Sequence, residues 1–155
     1  CAQVSHPIIY KLKGLQPNVQ PASFDPPIKS NLYFVYQGKK QDSARAINRF
    51  REETADDEIQ VAVEQMNQLT DKIIQCKSYD GFCELLFQHE NLISKLVDLQ
   101  PIQKRFPDFK GTLKSLGAWG GDFLLAASQV NEQDVKKYFE AKGLLPVFRF
   151  DELTL

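Results

Sequence analysis

Lys114-Ser115-Leu116-Gly117-Ala118-Trp119-Gly120-Gly121-Asp122-Phe123 is the stretch from which the fold can be read. Three glycines and an alanine fall within the five positions 117–121. An extended run, 109–116, leads into them, and the apolar run Phe123-Leu124-Leu125-Ala126-Ala127 leads out. Glycine admits positive φ and lets another group approach the main chain closely. A glycine cluster between two strand-like runs is therefore either a tight hairpin or a loop shaped to receive something. Two residues would suffice for a turn, and Trp119 is a large apolar side chain with no role in one. Those two points favour a site.

Working outward, Asn31-Leu32-Tyr33-Phe34-Val35-Tyr36 is aromatic and β-branched and reads as a buried strand closed by Gly38. Asp42 or Ser43 can cap a helix carrying Ala44, Ala46, Ile47 and Phe50. Strand, glycine, Lys39, Lys40 and a helix start make a candidate anion seat, with two solvated lysines at a turn as the equal alternative. It is not a Walker A loop, because Tyr33 stands where that loop needs its first glycine. Thr54-Ala55-Asp56-Asp57 has capping-box form, and the helix behind it places Ile59, Ala62, Met66, Leu69 and Ile73 on one face. Ser78 starts another helix, with Phe82, Leu85, Leu86, His89, Leu92, Ile93 and Leu96 on its apolar side. There His89 reads as a core or boundary histidine before a catalytic one, and Glu90 and Asn91 read as solvent face.

Asn131-Glu132-Gln133-Asp134 begins a further helix that turns Val135, Tyr138 and Phe139 inward and stops at Gly143. Leu145 to Phe150 is a last strand. Near the N-terminus, Pro7 to Leu12 reads as a short strand; 14–30, with Pro17, Pro21, Pro26 and Pro27, reads as an irregular connector. That strand looks severed from its sheet. Without it the order is strand, helices, strand, strand, helix, strand. This is the split β-α-β pattern of an α+β, ferredoxin-like sandwich: a four-stranded antiparallel sheet with an expanded helical first crossover, packed on one side by helices.

The 155 residues are 43% hydrophobic and 25% charged, with a net charge of −1, which describes a globular domain able to bury a real core. Near-neutrality offers no field for gathering nucleic acid or an anionic membrane surface. No apolar run is long enough to span a bilayer. The start, Cys1-Ala2-Gln3-Val4-Ser5-His6-Pro7, has neither a basic n-region nor an apolar h-region and lacks Met, so it reads as a processed or excised piece. Cys1, Cys76 and Cys83 match no metal spacing; buried free thiols and a cytoplasmic location are the ordinary reading. With His6 and His89 as the only histidines, no Ser-His-Asp, Cys-His or metal set can be assembled. Carboxylates such as Asp56-Asp57-Glu58 suit a helix N-terminus. The glycine loop remains, able to present backbone N–H groups to anionic oxygens without itself supplying a base or nucleophile.

Lys114 to Phe123 resembles the third, C-terminal motif of the GHMP small-molecule kinases: Lys, any residue, Ser or Thr, Gly, Ala, then glycines leading into a strand. Lys114, Gly117, Ala118, Gly120 and Gly121 match; Leu116 replaces the hydroxyl residue, and Trp119 and Asp122 replace glycines. Tyr36-Gln37-Gly38-Lys39-Lys40-Gln41-Asp42-Ser43 is similar to the strand-to-helix entry of the same domain in the mevalonate and phosphomevalonate kinase branch, and Glu90-Asn91-Leu92 precedes the glycine strand as it does there. Cys1-Ala2 resembles the residues just after a Gly-x-Asp motif whose Asp is the catalytic base.

The resemblance implies the C-terminal half of an ATP- and Mg²⁺-dependent kinase of a small metabolite, with mevalonate or phosphomevalonate as first guesses and hence a place in isoprenoid biosynthesis. It implies that 1–30 is the end of an N-terminal domain plus a Pro-rich connector and that 31–155 is the C-terminal-like domain. The nucleotide loop and catalytic base would lie in that N-terminal domain, so no catalytic residue is expected here. Lys114 and Gly117, Ala118, Trp119, Gly120, Gly121 and Asp122 would line the cleft, with Lys39, Lys40 and Ser43 on the acceptor side. The implied partners are the phosphoryl acceptor and the chain's own N-terminal domain, with room for a homodimer and none for nucleic acid or membrane. The alternative is a non-catalytic ferredoxin-like domain that binds or senses a metabolite.

Overall fold

In chain order the elements are β1 (Ile8–Lys13), β2 (Gln16–Pro21), β3 (Leu32–Tyr36), α1 (Asp56–Gln75), α2 (Tyr79–Leu96), β4 (Thr112–Ser115), β5 (Phe123–Ala127), α3 (Glu132–Glu140), β6 (Val147–Arg149) and α4 (Phe150–Leu153), with 3-10 turns at Lys29–Asn31 and Ile102–Arg105. This computed structural model describes residues 7–14, 16–24, 26, 28–38, 50, 56–117 and 121–153. The expected helix after Ser43 therefore lies outside the described residues, Phe50 excepted, as does the Thr54 cap.

The main sheet has the order β4-β5-β3-β6 with every neighbouring pair antiparallel. Counting from β3, the strands stand second, third, first, fourth across the sheet, as in a ferredoxin-like sandwich. Side chains alternate between faces along a strand, and the two core clusters use alternate residues of the same strands. Tyr33, Val35, Leu113, Leu124, Ala126 and Val147 pack on Val135 and Phe139 of α3 and on Ile102, Phe106 and Phe109. On the opposite face Leu32, Leu125 and Ala127 pack on Phe82 and Leu86 of α2 and on Ile28, with Ile73 of α1 beside them. Helices thus cover both faces, not one as the sequence suggested. The physical reason is that β3 and β5 are apolar on both sides, and neither side could be left in water.

Local signals set the helices. Ser78 caps α2 by accepting from Gly81 N, and Asn131 caps α3 by accepting from Asp134 N. After α3 the chain closes through Gly143 N to Glu140 O and Leu144 N to Phe139 O.

The severed strand is corrected. β1 pairs antiparallel with β2 from Ile8–Pro21 to Lys13–Gln16, so residues 16–21 are a strand rather than irregular connector. Pro17 and Pro21 misled the reading; in a two-stranded ribbon both strands are edges, where a missing N–H is tolerated. The strand expected over 109–116 is shorter, 112–115, because Phe109 N and Gly111 N bond locally to Phe106 O and Phe109 O. Cys76 and Cys83 are free, as expected, but half-buried.

Candidate functional site

β4 and β5 form a hairpin whose ladder runs one step past β4, with Leu116 N donating to Phe123 O at 3.0 Å. The chain then turns at Gly117, whose φ of +76° is costly for any residue with a Cβ. Ala118, Trp119 and Gly120 lie outside the described residues, and Gly121 brings the chain back. A Cβ on Gly121 would stand 2.5 Å from Leu116 O, so only glycine lets the two arms approach this closely.

The returning arm is held by Gln37, a buried residue one position past β3. Its backbone N–H donates to Asp122 O at 2.7 Å and its Nε2 to Gly121 O at 2.8 Å. Arg105 Nη1 donates to Gln37 Oε1 at 2.9 Å, so the side-chain amide is committed at both ends. Sequence reasoning gave Gln37 no role of its own within the stretch Tyr36–Ser43. A polar residue directly after a buried strand was the signal.

Beneath the first arm lies Glu90, 3% exposed. This corrects its reading as solvent face. It is four residues from Leu86 and eight from Phe82, so helical spacing sets it on the same buried stripe. Its carboxylate accepts from Ile102 N at 3.0 Å, Ser115 N at 3.0 Å and Ser115 Oγ at 2.8 Å. Without donors a carboxylate there would be strongly unfavourable; with three it ties α2, the turn at 102–105 and β4 together. Gln103 Oε1 accepts from Leu113 N at 3.0 Å, so the outward N–H groups of Leu113 and Ser115 on edge strand β4 both end on side chains. Asn91 Nδ2 donates to Phe87 O one turn back.

Lys114 and His89 complete the seam between α2 and β4. Lys114 is half-buried and its Nζ donates to Ser115 O at 2.8 Å. Burial lowers its pKa, against the pull of Glu90. His89 is pushed down to about 4, first by burial and then by the Lys114 charge, so its ring is neutral at pH 7; its Nδ1 is buried without a partner. An open cavity of about 390 Å³ faces this seam, lined by His89, Glu90, Arg105, Lys114, Ser115 and Gly117 among others. Of the residues expected from the sequence, Lys114 and Gly117 reach this cavity. Gly121 is buried behind the turn and Asp122 half-buried beside it. Lys39, Lys40 and Ser43, like Ala118, Trp119 and Gly120, lie outside the described residues. The arrangement offers cationic donors and a glycine turn to a small anionic or polar molecule. Among the described residues no group of three or more His, Cys, Asp or Glu could hold a metal ion, and no helix is long and apolar enough to cross a membrane.

No family profile matches the chain, and no curated protein matches its sequence. Solved structures do match in three dimensions. A mevalonate kinase crystal structure superposes with a TM-score of 0.65 at 19% identity, covering 90% of this chain and 45% of that one. The mevalonate kinase of Methanococcus jannaschii gives 0.64 at 19% identity, covering 84% and 43%. A Lin0012 protein from Listeria innocua gives 0.66 at 16%, covering 84% and 41%.

The chain has the fold of part of a mevalonate kinase. The architecture implied by the resemblance of the glycine motif is therefore present. At these identities the likeness describes the fold alone, and the chain spans less than half the length of each of these structures.

Proposed function

We propose that the chain is the C-terminal half of a GHMP-type kinase transferring a phosphoryl group from ATP to a small metabolite, with mevalonate or phosphomevalonate first among acceptors. The observation that carries this reading is the glycine hairpin. A turn at Gly117 beside Lys114 opens on a cavity, and Gln37 and Arg105 brace its returning arm, within a fold shared with mevalonate kinases. Phosphoryl transfer depends chiefly on positioning and charge stabilisation, and a braced stretch of bare backbone next to a lysine serves both.

In this reading residues 31–155 are the C-terminal domain, and 1–30 are the end of an N-terminal domain with its connector. That domain supplies the nucleotide loop, the catalytic base and most of the ATP and Mg²⁺ contacts, so the fragment alone is inactive. Lys114 and the loop 117–122 line the cleft, with Lys39, Lys40 and Ser43 on the acceptor side. The small-molecule acceptor and the N-terminal domain are the partners, a homodimer is compatible, and the setting is the cytoplasm.

The test is ADP release by the intact protein with Mg-ATP and, in turn, mevalonate, its phosphate, homoserine and sugars. One acceptor should stimulate release, and Gly121→Val, whose side chain meets Leu116 O, should cut kcat by about a hundredfold or more in a protein that remains folded. Absence of stimulation by every acceptor sinks the reading. Ligand binding without turnover would favour the non-catalytic sensor.

A further inference from the structure

The α2 face holds two cavities. One, of about 400 Å³ between the sheet and the α1–α2 pair, is walled chiefly by apolar side chains, and the hydroxyl of Thr70 there is committed to Met66 O at 2.8 Å. Positive charge gathers instead at the cavity of about 390 Å³ below the glycine turn, which Arg105 and Lys114 both line. These two cations belong to opposite arms of the turn. Lys114 lies on the leading arm, its Nζ donating to Ser115 O at 2.8 Å. Arg105 is tied to the returning arm, because the Gln37 amide that accepts from its Nη1 also holds Gly121 O.

Arg105 is exposed, yet its guanidinium is held on two sides. Gln37 is buried and its own N–H donates to Asp122 O, so the amide that anchors Nη1 is itself fixed. On the other side Arg105 Cζ lies 5.4 Å from the centre of the Phe106 ring, a contact that orients the plane without cancelling its charge. Among the described residues no carboxylate stands within ion-pairing distance of Arg105 or Lys114. Arg105 spends one of a guanidinium's five N–H donors and Lys114 one of an ammonium's three; the others have no protein acceptor among the described residues. Glu90 also lines the cavity, but it is 3% exposed and its carboxylate is turned into the seam by three donors, so it offsets little of the charge on the open side. A fixed planar fork matches two oxygens of one anionic group, and a second cation beside it favours a doubly charged group over a singly charged one.

We propose that Arg105 determines what this cavity accepts: with Lys114 it receives a phosphate group of the bound metabolite, so that the acceptor is a small phosphomonoester and not its unphosphorylated parent. That the bound phosphomonoester is the phosphoryl acceptor rests on the kinase reading; that Arg105 holds it does not.

Isothermal titration of the intact protein without nucleotide tests it, with mevalonate, homoserine and galactose each compared with its monophosphate. One monophosphate should bind one per chain and about tenfold or more tighter than its parent. Arg105→Gln should cut that preference by about tenfold, and Arg105→Lys should restore part of it, since the charge returns without the fork. Lys104→Gln, at an exposed neighbour that does not line the cavity, should leave it unchanged. No preference for any monophosphate, or a preference that survives Arg105→Gln, overturns the proposal. If Arg105→Gln does not fold, the paired ligands on the unsubstituted protein still decide. ADP release with Mg-ATP then separates this inference from the kinase reading. Arg105→Gln should raise the KM for the phosphorylated acceptor by about tenfold and leave that for ATP unchanged; a rise for ATP instead gives the phosphate to the nucleotide and overturns the proposal. Arg105-dependent binding of a monophosphate with no ADP release on any acceptor would sink the kinase reading and leave Arg105 its ligand. ADP release on an unphosphorylated acceptor, indifferent to Arg105→Gln, would do the reverse.

Discussion

The two faces of one sheet are built on different principles. On the α3 face Phe139 is fully buried, its ring 5.1 Å from those of Phe109 and Tyr138 and 6.0 Å from that of Phe106, and a cavity of about 290 Å³ lies beside Phe109, Val135 and Tyr138. On the α2 face the packing is interrupted by Glu90, His89 and Lys114 and by two cavities. Both faces rest on the same strands. The contrast is one of charge: rings pack on the α3 face, and the α2 face admits a carboxylate, an amine and an imidazole between helix and sheet.

The largest test of this contrast is a pair of truncations. Phe139→Ala should cost about 3–5 kcal/mol, whereas Leu86→Ala, already bordering a cavity, should cost about 2 kcal/mol. Urea denaturation measures both; equal losses would dissolve the distinction. Next, Glu90→Leu should destabilise by about 3 kcal/mol, because it leaves the Ile102 and Ser115 N–H groups without their acceptor, while Glu90→Gln should lose less. If leucine were tolerated, the polar seam would be no more than packing.

A smaller effect comes from His89. Its folded pKa, about 4, lies below the ordinary histidine value of 6.5, so between those values the unfolded chain binds more protons than the native one. Stability from this group is therefore complete above pH 6.5 and falls as pH drops towards 4. The ring is partly solvated, so the loss should be on the order of 1 kcal/mol. Comparing pH-stability curves of the native protein and His89→Phe isolates it; superimposable curve shapes would count against a buried neutral imidazole. Smallest are the caps. Ser78→Ala and Asn131→Ala should each cost about 0.5–1 kcal/mol, alike on the two faces because an exposed cap does not sense the core beneath its helix. A marked inequality between them would show that it does.

The strand order was legible in the sequence because β3 and β5 are continuous apolar runs and the helices announce themselves with Ser78 and Asn131. Three things were not. β2 was hidden by Pro17 and Pro21, which argue against a strand unless it is known to be an edge. Coverage of both faces was implicit in the unbroken apolar runs of β3 and β5, yet which helix takes which face is a tertiary outcome. Within the site, the glycines marked the turn, but its supports did not show. Gln37 lies 84 positions from the Gly121 it holds and 68 from the Arg105 that holds it, and Glu90 looks like any helix-surface acid until its spacing from Phe82 and Leu86 is counted. Charge type argued for solvent; position argued for the interior. Position prevailed because the N–H groups of Ile102 and Ser115 were there to receive it.

The side-chain acceptors on β4 have one more consequence. The outer border of a sheet is ordinarily an open invitation to a foreign chain, which could zip on and seed fibres. Here Gln103 and Glu90 occupy the amide hydrogens at Leu113 and Ser115, and an incoming strand would have to evict both before gaining a single rung. The same carboxylate that knits the seam thus guards the molecule against assembling with copies of itself along that border.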